Sequence, residues 1–305
     1  MGVKIEVAKN CGFCFGVRRA VDTVYELKNK THKKICIIGE LIHNSVFIDR
    51  LEKDGIFCIS EEEALSVKDP DNTLLVIRTH GITKQTEKAL FETGCEIVDA
   101  TCPFVKRIHK IVDDNSKDCD GVVIVGDKSH PEVVGIKSYA NSEAFICSDD
   151  GECSNIVNKL RREMVENLLL VSQTTGNNEK YVNCQKVVKK VYTNAKIFDT
   201  ICSVTENRQN EVKEMAKNAN LVCVIGCTKS SNTKKLYEIA SGVCDNVYLL
   251  ETAHELDEAA LKKLYKEHEE AYGSTKDFTV GITAGASTPD DIIEEVKVRV
   301  ENILL

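Results

Sequence analysis

The sequence has no apolar run approaching the roughly 20 residues that a membrane-spanning helix needs, and residues 1–10 lack the basic start and apolar stretch of a signal peptide. The expected location is therefore the cytoplasm, with no membrane partner. There is no Lys/Arg-rich block either. The 40 basic side chains face 48 acidic ones, a formal charge of −8, which leaves no electrostatic footprint for nucleic acid. No Gly-x-Gly-x-x-Gly follows a strand-like run, so no fingerprint for a nicotinamide or flavin dinucleotide is present. With only 4 Pro and no Pro/Gly-rich linker, the 305 residues read as tightly packed units.

Cysteine, in contrast, is abundant. In a reducing compartment the 14 Cys are thiols and no disulfide scaffold. Cys36, Cys58, Cys147 and Cys223 lie inside apolar runs and are expected in the core.

Six runs rich in Val, Ile or Leu recur, at Lys34–Gly39, Leu74–Thr79, Val122–Gly126, Leu168–Ser172, Leu221–Gly226 and Phe278–Thr283, and each reads as a buried parallel strand. Stretches of helical spacing lie between them, such as Val17, Ala20, Val21, Val24 and Leu27, so the class is α/β. Cys14, Cys102 and Cys202, 88 and 100 residues apart, each follow a further strand-like run and precede a helical pattern. A polar loop recurs 29, 28 and 29 residues after them, at His43, His130 and Ser231. A second loop recurs at Thr79-His80-Gly81, Gln173-Thr174-Thr175 and Ala284-Gly285-Ala286-Ser287. These regularities predict three similar α/β units with mostly parallel sheets, arranged in pseudo-threefold fashion around a central cleft. The units are 15–101, 102–200, and 201–280 completed by 1–14 and 281–305. The third lacks its own closing strand, and the N-terminal run Val3–Ala8 is expected to supply it.

At a helix N-terminus the macrodipole and free N–H groups favour a thiolate. Three such thiols from distant parts of a chain fit an iron–sulfur cluster, and three ligands for a four-iron cube leave one iron open to substrate. A zinc ribbon or a thioredoxin-like pair has only Cys11 and Cys14 to build on, and no second close pair completes a ribbon. Of 7 His, three stand in the recurring loops, His43, His80 and His130, while His32, His109, His254 and His268 read as surface residues. Ser230, Ser231, Asn232 and Ser287 add hydrogen-bond donors for phosphate oxygens, and Thr288-Pro289 resembles a helix start that would put Ser287 at an anion-binding N-terminus. Glu132 is the carboxylate placed among these loops. It reads either as a proton donor held neutral in a dry cleft or as a first-turn carboxylate stabilised by a helix dipole.

Several segments, taken in order, resemble the 4-hydroxy-3-methylbut-2-enyl diphosphate reductases, the iron–sulfur enzymes that end the non-mevalonate isoprenoid pathway. They are Gly12-Phe13-Cys14-Phe15-Gly16-Val17, Ile42-His43-Asn44, Thr79-His80-Gly81, Asp99-Ala100-Thr101-Cys102-Pro103, Ser129-His130-Pro131-Glu132-Val133, Ser172-Gln173-Thr174-Thr175, Thr205-Glu206-Asn207-Arg208-Gln209, Lys229-Ser230-Ser231-Asn232 and Thr283-Ala284-Gly285-Ala286-Ser287. The resemblance spans nearly the whole chain. It implies that Cys14, Cys102 and Cys202 hold a [4Fe–4S] cluster whose fourth iron takes the substrate oxygen. It also implies that His43, His80, His130, Ser230, Ser231, Asn232 and Ser287 grip the diphosphate. Glu132, helped by Thr174, would deliver the proton that releases water, giving isopentenyl and dimethylallyl diphosphate.

With no dinucleotide fingerprint, ferredoxin or flavodoxin is the expected electron donor, and a monomer is the default. Two rival readings are a non-catalytic iron–sulfur sensor and a metal-dependent phosphohydrolase built on the strand-end loops. The first needs a DNA- or partner-binding surface that this acidic chain does not offer, and the second leaves three equivalent Cys without a task.

Overall fold

Runs of four Val, Ile and Leu, at Leu74–Ile77, Val122–Val125 and Leu168–Val171, suit strands covered on both faces, and each lies in the middle of a parallel sheet. A computed structural model describes residues 2–305. After β1 (Val3–Val7) and α1 (Phe15–Lys30), the chain runs through β2 (Lys34–Ile38), α2 (Ser45–Lys53), β3 (Ile56–Ile59), α3 (Glu61–Leu65), β4 (Thr73–Ile77), α4 (Lys84–Phe91) and β5 (Glu96–Asp99). The pattern repeats through α5 (Pro103–Asn115), β6 (Gly121–Val125), α6 (Pro131–Ser138), β7 (Glu143–Cys147), α7 (Asp150–Arg162), β8 (Leu168–Ser172), α8 (Asn178–Val191) and β9 (Lys196–Ile197). It repeats again through α9 (Ser203–Asn218), β10 (Leu221–Ile225), α10 (Ser231–Ser241), β11 (Val247–Leu250), α11 (Glu258–Tyr272), β12 (Phe278–Ala284) and α12 (Asp290–Leu304).

The three four-stranded sheets share one order, β3-β2-β4-β5, β7-β6-β8-β9 and β11-β10-β12-β1, and every strand pair is parallel. The N-terminal strand does close the third sheet, with Val3 opposite Phe278 and Val7 opposite Ile282. By compactness the chain forms two units. One comprises Met1–Cys14, His43–Phe47 and Ser203–Leu305 and carries the third sheet; the other comprises Phe15–Ile42 and Ile48–Cys202 and carries the first two.

Packing follows the repeat. In the second sheet one apolar cluster joins Val123, Val125, Leu168 and Leu170 to α7 and α8, and another joins Val122, Ile124, Leu169 and Val171 to α5 and α6. The third sheet is likewise covered on both faces. Cys36, Cys147 and Cys223 are buried as expected, but Cys58 on β3 is only half-buried. His109 and His268 are not surface residues. Both face inward from amphipathic helices, where His268 bonds Asn220 and the Lys276 carbonyl. No helix among the described residues is long and apolar enough to cross a membrane.

Candidate active site

The three repeat cysteines occupy one structural position. Cys14, Cys102 and Cys202 each immediately precede a helix, α1, α5 and α9, and each is half-buried. The Cys102 N–H donates to the Thr79 carbonyl at 3.0 Å, the Cys202 N–H to Thr174 at 3.0 Å, and the Cys14 N–H to Ala286 at 3.2 Å. All three acceptors lie two residues beyond the end of the third strand of their sheet, β4, β8 and β12. Helix N-termini present unpaired N–H groups and a partial positive charge, which suit a thiolate. Sulfur needs room as well. A Cβ on Gly16 would stand 2.5 Å from Cys102 Sγ, so the glycine in the first turn of α1 makes way for that sulfur.

Two arginines that the sequence reading left without a role hold these loops. Buried Arg208 of α9 donates to the Gly12 carbonyl at 2.6 Å and the Ala284 carbonyl at 2.8 Å, tying the Cys14 loop to the Ser287 loop. Arg19 of α1 donates to the Thr101 and Asp99 carbonyls at 3.1 and 3.4 Å, directly before Cys102. Arg208 falls within a segment that carries the family resemblance, so a signal existed. Arg19 had none.

In the unit bearing the first two sheets, Glu132 is 1% exposed on the first turn of α6. Its Oε1 accepts the Thr174 N–H at 2.5 Å and its Oε2 the Thr174 hydroxyl at 2.9 Å. Burial outweighs these two bonds and lifts its pKa to about 7. His130 caps the same helix, its Nδ1 accepting the Glu132 N–H at 3.2 Å. An accepting Nδ1 carries no proton, so a neutral ring presents Nε2–H as a donor. The His80 ring meets His130 edge-on, with centroids 5.2 Å apart. His80, His130, Glu132 and Thr174 thus form one cluster. Behind it, His109 is 6% exposed, stacks on Tyr139 at 4.2 Å, and is pushed by burial down to about 4, so it is a neutral imidazole. A Cβ on Gly81 would come within 2.9 Å of His109 Cε1, and one on Gly135 within 3.2 Å of its Nε2. His109 is therefore wedged between the His80 loop and α6.

In the other unit the Ser287 hydroxyl donates to the His43 carbonyl at 3.0 Å. Asn44 follows and caps α2, accepting the Phe47 N–H at 2.9 Å. Ser230 caps α10 through the Thr233 N–H at 3.3 Å, and Ser231 opens that helix. Asn232 is 3% exposed, and neither atom of its amide has a hydrogen-bond partner among the described residues. A buried unpaired amide costs about 1–3 kcal/mol, which a polar ligand at this helix start would relieve. The helix after Ser287 begins at Asp290, and Asp290 and Asp291 already fill its first turn with negative charge. These two carboxylates offset the attraction of that N-terminus for an anion.

A second sulfur group escaped the sequence reading. Sγ of Cys147, Cys153 and Cys184 all lie within 4.8 Å of one another, in a geometry able to hold a metal ion.

The chain matches the LytB protein family over residues 5–301. It is 41% identical over 300 residues to the 4-hydroxy-3-methylbut-2-enyl diphosphate reductase of Clostridium perfringens, covering 97% of this chain and 98% of that one. It is 37% identical over 302 residues to the protein of that name from Caldanaerobacter subterraneus, covering 99% and 98%. Among solved structures it is similar to (E)-4-hydroxy-3-methyl-but-2-enyl diphosphate reductase, described as the terminal enzyme of the non-mevalonate pathway. The TM-score is 0.67 at 33% identity, over 99% of this chain and all of that one. It is also similar to the E-1-hydroxy-2-methyl-but-2-enyl-4-diphosphate reductase of Plasmodium falciparum, with TM-score 0.85 at 27% identity over 98% and 88%.

Proposed function

The chain belongs to the LytB protein family, and from that membership we propose that it is an oxidoreductase converting 4-hydroxy-3-methylbut-2-enyl diphosphate to isopentenyl and dimethylallyl diphosphate, with loss of water. The observation that carries the reading is the threefold Cys position, three half-buried thiols at helix starts, each with its N–H bonded to the equivalent carbonyl of its own sheet's loop. That donor set, with Gly16 clearing space beside Cys102 Sγ, fits an iron–sulfur cluster held by Cys14, Cys102 and Cys202. When bound, such a cluster would supply a Lewis acid for the hydroxyl oxygen and relay the two electrons of the reduction from an external donor.

The chain's own residues do the rest. His43, His80, His130, Ser230, Ser231, Asn232 and Ser287 provide the donors that hold the diphosphate, with Asn232 gaining the partner it lacks. Burial raises the Glu132 pKa to about 7, so a large fraction of the carboxyl group carries a proton at neutral pH, and Thr174 orients it. The reduction takes up two protons, one making water on C–O cleavage and one ending on carbon at either end of the allyl unit, and in this reading Glu132 delivers the first. A ferredoxin or flavodoxin supplies the electrons from outside, and the enzyme works as a cytoplasmic monomer. The test is anaerobic iron–sulfur reconstitution followed by assay with a one-electron reductant. A brown protein that consumes the substrate is expected. A colourless protein, or phosphate release without reductant, would overturn the proposal.

A further inference from the structure

Cys147 ends β7, Cys153 lies in the first turns of α7, and Cys184 lies in α8. Each is fully buried at 0% exposure, in a cluster otherwise built of Val, Leu and Tyr side chains. Three thiols are not needed to fill such a space, since one Cys is a small hydrophobe like its neighbours. Their convergence is the unusual feature, because three elements each turn a sulfur to one point.

Geometry selects the occupant. With metal–sulfur bonds of about 2.3 Å, thiolates around a single ion lie about 4 Å apart. The observed separations, all within 4.8 Å, match one ion. Thiolates on three corners of an iron–sulfur cube stand further apart, because the irons and sulfides lie between them. Sulfur donors select soft cations, and a closed-shell d10 ion, having no geometric preference from its d electrons, accepts three thiolates with a fourth position left to complete its shell. Charge points the same way. A divalent ion displacing three thiol protons gives a complex of net charge −1. A monovalent ion with three thiolates would leave −2 in an apolar core.

We propose that Cys147, Cys153 and Cys184 form a structural site for one thiophilic divalent d10 cation of the zinc type, stapling β7 to α7 and α8. The inference is independent of the reductase reading. Since all three side chains are fully buried, the ion enters as the chain folds.

The test uses holoenzyme, with its iron–sulfur cluster, purified anaerobically from zinc-supplemented culture. One zinc per chain beside an unchanged iron content is expected, falling at least tenfold in Cys153→Ala and Cys184→Ala while iron and visible absorption persist. Alanine leaves no unpaired hydroxyl, but where a variant fails to fold, wild-type protein decides the matter. Its thermal midpoint should be higher in holoenzyme from zinc-supplemented culture than in holoenzyme of equal iron content from zinc-depleted culture. Zinc-free holoenzyme with an unshifted midpoint would overturn the proposal. So would loss of iron from these variants, which would also displace Cys14, Cys102 and Cys202 as cluster ligands.

Discussion

Glu132 shows how one carboxyl group acquires a proton at neutral pH. Two donated hydrogen bonds from Thr174 favour the anion, yet complete burial favours the acid more, and the balance lies at about 7. As a proton donor it is competent below that value, so kcat should be level on the acid side and fall as pH rises through about 7. Glu132→Gln keeps the shape but has no proton to give. Steady-state assays should show kcat lowered on the order of 100-fold or more with KM little changed. Wild-type turnover would remove Glu132 from the mechanism. At Gly81 the constraint is steric. Its φ of +72° and the approach to His109 Cε1 both require glycine. Gly81→Ala should destabilise the chain by about 1–3 kcal/mol and, by shifting the His80 loop, raise KM more than it lowers kcat. An unshifted melting curve with an unchanged KM would show that this wedge does not position His80.

At the scale of elements, the loops after β4, β8 and β12 take backbone bonds from the cysteines, while arginine side chains hold the end of β12 and the segments before Cys14 and Cys102, and these two kinds of restraint differ in how far the sequence discloses them. Most central strands were legible because runs of four or five apolar residues leave few alternatives. The cysteine positions were legible because they recur with matched flanks. The clamps are tertiary: Arg208 reaches carbonyls 76 and 196 residues away in the chain, and no local pattern announces such a partner. His109 and His268 were misread for the same reason, since polar neighbours in the sequence conceal a helix face turned inward. The short strand β11 lies at an edge, where half-buried residues carry a weak pattern. If Arg208 organises both loops, Arg208→Met should cost about 3 kcal/mol or more, because two charge-assisted bonds are lost and two carbonyls are left unpaired. It should also lower iron retention after anaerobic purification, and full iron content with an unaltered denaturation midpoint would contradict that role.

Across the whole molecule, two buried titratable groups on neighbouring helices, Glu132 on α6 and His109 on α5, pull stability in opposite directions as pH changes. The folded chain keeps the Glu132 proton up to about 7, whereas the unfolded chain gives it up near 4.5, so this group's contribution to stability declines as pH rises across that interval. His109 is neutral in the fold down to about 4 but takes a proton near 6.5 when unfolded, so its contribution declines as pH falls from 6.5 to 4. Where the intervals overlap, between 4.5 and 6.5, the unfolded chain gains one proton and loses another, and the two slopes cancel. Glu132→Gln removes one slope and exposes the other. Relative to wild type, the variant should gain about 3 kcal/mol as pH rises from 4.5 to 7, at about 1.4 kcal/mol per pH unit. Urea denaturation at matched pH values measures the difference directly. Parallel stability curves for variant and wild type would mean that Glu132 is ionised in the folded chain at neutral pH, and its part as the proton source would fall with that result.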